Sequence, residues 1–561
     1  MQTLSISDRP GRSASGGPAP LALTALVIGI LTAAPIASVW LNLFAGGTGD
    51  TWAHLASTVL TEYVANTLVL CLGVGGGVIL VGVSTAWLVT MHAFPGRRFF
   101  EWALVLPLAV PAYVMAYAYT DLLQFVGPVQ SWLRESFGWR KGDYWFPDVR
   151  SAGGAVAMFS LVLYPYVYLL ARTAFLERAG GMLEVGRSLG LSAWASFFRI
   201  SLPLARPAVA AGTALALMET LADYGTVAYF AVPTFTTGIY RAWFSLGDRI
   251  AAAQLSAALL GFVVLVLAAE RASRGRARFH NTTGRNRPQP GQALSGAAAL
   301  AAMLACALPL LLGFLLPAGV LLRLALGDGD AQFGSRFFQL AGNSFSLAAL
   351  TALLAVGLAV LLAYSARLSG AGWSRALNRL VGLGYAVPGS VIAVGVLIPV
   401  TRLDNWLAAA IASWTGTSPG LLLTGGIAAL VYAYLVRFLA IALQTVEASL
   451  AKVTPSMDDA ARSLGLGQGQ TLRRVHLPLL RGSLLTAGLL VFVDVMKELP
   501  ATLVMRPFNF DTLATQAYTL AADERLAEAS TAALAIVVVG ILPLIAVSRQ
   551  IAKGNSKASS C

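Results

Sequence analysis

The chain has 561 residues, of which 57% are hydrophobic and 12% charged, about half the charged share of soluble domains. With a mean hydropathy of +0.71, its solvent is lipid, which excludes a soluble enzyme and a disordered chain. Cys71, Cys306 and Cys561 are far apart and without metal-ligand spacing, which excludes a disulfide scaffold.

Residues 1–20 are rich in Ser, Gly and Pro and read as a disordered leader. Apolar runs follow at 21–46, 66–94, 101–123, 153–176, 204–230 and 251–270, then at 296–325, 344–366, 379–401, 420–446, 479–505 and 527–548. Each is long enough to cross about 30 Å of hydrocarbon as a helix, and none alternates as a barrel strand would. The expectation is an all-α membrane protein of about 12 transmembrane helices in two six-helix repeats, 21–271 and 293–550. Residues 272–292, rich in Arg, Asn and Pro, form the cytoplasmic linker, and 551–561 form a tail. With the N-terminus inside, 27 of the 39 Lys and Arg residues fall on the cytoplasmic side, so both termini are cytoplasmic. The net charge of +13 is then a topology signal, and no nucleic-acid partner is expected.

The halves repeat at an offset of 275. Glu184-Val-Gly-Arg187-Ser-Leu-Gly190 matches Asp459-Ala-Ala-Arg462-Ser-Leu-Gly465, and Leu202-Pro203 matches Leu477-Pro478. The same offset pairs Glu219 with Asp494, Asp223 with Glu498, Phe235 with Phe510 and Asp248 with Asp523. Six spans separate the copies, so the repeats are parallel, with a pathway at their interface. In each loop the acidic residue should open a short helix, favourably placed against its dipole. Gly190 or Gly465 should then cap it in the left-handed region, and Pro203 or Pro478 should start the next span. An interfacial helix-turn-helix is the plainer reading of one such loop; two at one register argue for a docking element.

At these residues the chain resembles the permeases of binding-protein-dependent ABC importers, which implies a type I-like permease fold. The second copy keeps Asp459-Ala460-Ala461 but has Val475-His476 before its Leu-Pro; the first keeps Ile200-x-Leu202-Pro203 but has Val185-Gly186 for the Ala pair. The resemblance implies that Glu184, Arg187, Gly190, Pro203, Asp459, Arg462, Gly465 and Pro478 form coupling helices docking on two ABC ATPase subunits. None of the five Lys residues follows Gly, so a P-loop is missing. This chain is therefore not an enzyme by itself; ATP and Mg belong to partner subunits, and it binds no cofactor.

Ionisable residues inside spans point to function. The fifth span carries Glu219 and Asp223-Tyr224-Gly225, and its counterpart carries Asp494, Lys497, Glu498 and Pro500. Acids four apart share one helical face, and Gly225 and Pro500 should break their helices. Hard oxygen ligands suit a hard, highly charged cation. A structural role is the alternative, with Lys497 pairing Glu498 or Asp494 and the other acids capping broken helices. Glu-Thr-Leu-Ala-Asp-Tyr-Gly-Thr, Lys-Glu-Leu-Pro-Ala-Thr and the fused double length look most like the ferric-iron permeases. That resemblance implies Fe(III) cargo on a periplasmic binding protein, transient metal contact at Glu219, Asp223, Asp494 and Glu498, and an inner-membrane location. The loop from Gly127 to Ser151, with three Trp, could dock the binding protein or simply form an aromatic belt. Thiamine, polyamine, phosphonate, sulfate or molybdate as cargo, and a proton- or sodium-driven secondary transporter, are the other readings.

Overall fold

The computed structural model describes residues 19–48, 50–188, 190–274, 292–327, 333–369 and 372–558, with the side chains of 19–20, 177–188, 193–194, 274, 292 and 544–558 left out. Most of the leader, the linker residues 275–291 and the last residues of the tail therefore lie outside the described residues, as do the side chains of Glu184 and Arg187. Among the described residues, eleven helices are long and apolar enough to cross a membrane, or twelve if one pair bent by 91° counts as a span.

That bent pair, Arg97–Ala109 and Ala112–Phe137, replaces the straight third span expected at 101–123. Its cause is Val110-Pro111, since a residue before proline is driven out of the helical region and Val110 has φ −94° and ψ 114°. The second copy repeats the device at Val387-Pro388, with φ −81° and ψ 125° at Val387. The ninth span is consequently Gly389–Thr415, preceded by a separate helix, Gly372–Gly382.

Small residues bring backbones together where lipid supplies no hydrophobic drive. A Cβ on Gly82 would lie 2.7 Å from Val167 Cβ, and one on Gly212 would lie 2.7 Å from Val167 Cα. The second, fourth and fifth spans thus pack at near-backbone distance.

Each half also lends its first span to the other. The Ala19–Asn42 helix packs on the Gly389–Thr415 helix of the second half, and the Gly296–Gly327 span packs against first-half helices. Proline supplies the sites of attachment. Pro35 has no N–H for the carbonyl of Leu31, and Tyr432 Oη donates to that oxygen at 2.6 Å. In the seventh span a π turn, Leu311–Leu315, precedes Pro317, which frees the Leu312 carbonyl; Tyr119 Oη donates to it at 2.7 Å. A short parallel bridge, His92–Ala93 with Gln292–Ala293, fastens the start of the second half to the first.

Candidate functional site

The duplicated loops are alike in their caps and unlike in their helices. Gly190 and Gly465 have φ of +72° and +79°, the left-handed caps the spacing predicts. Each is followed by one π turn, Phe197–Ser201 or Leu472–His476, leading into a helix with Pro203 or Pro478 in its first turn. A short loop helix opened by the acid is not what forms. In the first copy Glu184 lies near the end of a 37-residue helix, Ala152–Ser188. In the second, Thr454-Pro455 stops the tenth span and starts a new helix, Pro455–Ser463, whose first-turn acid is Asp458. The first copy has Gly180 where the second has Pro455, so nothing obliges that helix to stop. Asp459 is exposed and pairs with Arg462, at 2.6 Å.

Asp458 does the structural work instead. Its carboxylate accepts from Arg367 Nε at 3.0 Å and Nη2 at 2.7 Å, and lies 2.7 Å from His476 Nε2. Arg367 also donates to the Leu450 and Val453 carbonyls, both at 2.9 Å. One carboxylate thus ties the loop to the ends of the eighth, tenth and eleventh spans. At the same offset the first copy has Leu183, His92 and Ser201. It packs aromatics there, with Trp87 4.8 Å from Phe197 and 5.5 Å from Phe175.

Inside the membrane the fifth span ends at Ala222 and the eleventh at Met496. Short helices then start at Gly225 and Pro500, so the breaks lie just before those residues. Asp223 caps the first short helix, accepting from Thr226 N at 2.8 Å and Val227 N at 3.3 Å. Glu498 caps the second, accepting from Ala501 N at 2.8 Å and Thr502 N at 3.0 Å. The break frees backbone N–H groups that need partners at membrane depth, and the equivalent carboxylates supply them.

Glu219, Asp223, Asp494, Lys497 and Glu498 all line one cavity of about 110 Å³ between the halves. Lys497 pairs with Asp494 at 2.8 Å. Arg437 reaches Glu219 of the first half at 3.7 Å and Glu498 of the second at 3.8 Å. Among the described residues, no three Asp, Glu, His or Cys side chains gather as a metal-holding group. Arg437 is the residue that sequence reasoning missed. The count of 27 cytoplasmic Lys and Arg residues includes it, yet it lies within the tenth span, Ala428–Leu450, with 8% of its surface exposed, so that count falls to 26. A lone Arg inside the apolar run 420–446 was the available signal.

A larger cavity of about 630 Å³ shares Tyr166, Tyr385, Asp494 and Lys497 with the first and extends to Arg98, Glu101 and Arg172, on the face carrying the duplicated loops. Tyrosines pack on the other side. Tyr224 stacks on Tyr240 at 3.7 Å between centroids and meets Tyr518 at 5.7 Å, and Tyr240 Oη donates to the Pro500 carbonyl. Tyr240 and Tyr518 are equivalent at an offset of 278, as are the capping boxes of Thr234 with Thr237 and Thr512 with Thr515. The register of 275 therefore gains three residues after the short helices, and the expected pairing of Phe235 with Phe510 gives way to Phe235 with Leu513.

A duplicated multi-pass bundle with charged residues lining a cavity between its halves has the architecture of a transport permease. The chain belongs to the family of binding-protein-dependent transport system inner membrane components, whose model matches residues 78–274. It is 28% identical to the Fe(3+)-transport system permease protein FbpB 2 of Haemophilus influenzae over 93% of this chain and 97% of that one. It is 31% identical to the molybdenum transport system permease protein ModB of Escherichia coli over 29% of this chain and 70% of ModB. A bacterial ABC transporter that imports the acidic polysaccharide alginate aligns with 45% of the chain at a TM-score of 0.36 and 17% identity. The protein is thus a fused, double-length, multi-pass permease of the inner membrane.

Proposed function

We propose that this permease carries Fe(III) inward, released to it by a periplasmic binding protein and driven by two separate ATPase subunits that bind ATP and Mg. The observation that carries the cargo class is the charge of the central cavity, where four carboxylates face two cations. An excess of negative charge in low dielectric favours a cation and opposes an oxyanion. The double-length iron relative, matched almost end to end, favours iron among cations over thiamine or a polyamine. Both termini are assigned to the cytoplasm by the distribution of Lys and Arg. The two loops then face the ATPases, with Glu184, Arg187, Gly190 and Pro203 in one contact and Asp459, Arg462, Gly465 and Pro478 in the other.

A weak, transient contact suits passage, because a tight site would slow release. The test is ATP hydrolysis by the reconstituted complex with its binding protein loaded in turn with Fe(III), thiamine or spermidine. Stimulation by the iron-loaded protein alone is expected. Stimulation by an organic cation keeps the importer and discards iron.

A further inference from the structure

Two cations stand among the four carboxylates of the central cavity, and both belong to the second half. At the loop offset, Arg437 and Lys497 correspond to Val162 and Ala222. The two are not equivalent in role. Lys497 pairs with Asp494 one helical turn away, on its own segment. Arg437 spans the interface, with Nη2 3.7 Å from Glu219 Oε2 and Nη1 3.8 Å from Glu498 Oε1. Its Nε is buried with no hydrogen-bond partner among the described residues. Both ion pairs are longer than the 2.7–2.9 Å of a well-formed charge-assisted hydrogen bond. The guanidinium is therefore held mainly as a charge between two acids, without a forked geometry on either. Space for it comes from Gly389, where a Cβ would lie 2.7 Å from Glu498 Oε1 and 3.1 Å from Arg437 Nη1.

We propose that Arg437 is a tethered counter-cation that holds the place of the transported ion between Glu219 and Glu498 and is displaced when a highly charged cation arrives. Three physical arguments meet here. Two carboxylates facing each other across a low-dielectric interface repel unless a cation lies between them. An arginine is always charged and weakly hydrated, so it can serve there permanently. Because its partners come from opposite halves, its displacement exchanges one bridge between the halves for another made by the cargo, so the interface loosens only as the cargo leaves. Arg437 is thus a specificity-determining residue. A cation of low charge density cannot compete with the guanidinium for two carboxylates at once, whereas a small trivalent ion can.

The inference rests on the cation-transport reading but not on iron, and its test uses neither ATP nor the binding protein. The full-length chain in phosphatidylcholine nanodiscs is titrated with Tb(III), whose emission is sensitised by nearby tyrosines; Tyr166 and Tyr385 line the same cavity. Arg437→Gln should bind Tb(III) about tenfold or more tighter than the parent chain, the size of effect that one charge within 4–6 Å exerts on a carboxylate. The gain should vanish in Arg437→Gln/Glu219→Gln. Equal affinity in Arg437→Gln and the parent overturns the proposal, as does a gain that survives loss of Glu219. Should Arg437→Gln fail to yield a monodisperse chain, Arg437→Met, which removes the charge and keeps an unbranched side chain, gives the same readout. Tighter Tb(III) binding by that variant supports the proposal and unchanged binding overturns it. If these results hold while iron-loaded binding protein fails to stimulate ATP hydrolysis, the iron assignment falls and the role of Arg437 stands.

Discussion

Removing the Asp458 carboxylate should release the second loop from the bundle without unfolding it. In Asp458→Ala, Arg367 loses two hydrogen bonds of 3.0 and 2.7 Å, and His476, 1% exposed, loses its 2.7 Å contact. Arg367 keeps its bonds to the Leu450 and Val453 carbonyls, so the spans stay tied together and the loss falls on the Pro455–Ser463 helix. Hydrogen bonds to charged groups contribute about 1.5–3 kcal/mol each. Asp458 is a quarter exposed, so solvent screening reduces the sum. A local loss of about 2 kcal/mol corresponds to about a thirtyfold change in an opening equilibrium. Hydrogen exchange on the full-length chain reads this directly. Amides of Pro455–Ser463 should exchange about thirtyfold faster while those of the Ala428–Leu450 core keep their protection. In the reconstituted complex, ATP hydrolysed per cargo ion should rise. Unchanged exchange in 455–463 would show that the Asp458 network does not hold this helix to the bundle.

Gly190→Pro and Gly465→Pro place a ring that demands negative φ at positions of φ +72° and +79°. Each should abolish transport while membrane insertion, followed by protease protection, is unchanged; normal uptake by both variants would refute the coupling assignment. Neutralising Glu219 and Asp494 together should slow cation passage in proteoliposomes more than it lowers recovery of the assembled complex. Unchanged uptake would leave these carboxylates a purely structural role. Tyr432→Phe and Tyr119→Phe each strip the only side-chain donor described at a proline-freed carbonyl. Each should cost about 1–2 kcal/mol, read as a lower unfolding midpoint in detergent, with the double variant close to the sum. A midpoint unmoved in both would mean that water or lipid headgroups already satisfy those carbonyls.

The sequence by itself determined what rests on period, composition and local stereochemistry. Apolar runs of span length appear as helices because lipid leaves the backbone no other solution. The duplicated loops are legible because Leu-Gly and Leu-Pro act on their own neighbours, and the left-handed caps at Gly190 and Gly465 follow from that. The intramembrane acids were visible as residues too costly to be idle. Helix limits were less legible where an apolar or helical run continues past a single proline, as at Val110-Pro111 and at Pro455, which separates two loops that read alike. What only the tertiary structure decided is which charges meet. Asp223 and Glu498 turn to their own broken helices, while Glu219 finds its cation in Arg437, more than two hundred residues away. Arg367, Asp458 and His476 gather from three segments around one carboxylate. No spacing rule anticipates such partners. Repeat symmetry equates Arg437 with Val162, and only the docking of one half on the other brings a single guanidinium between two acids.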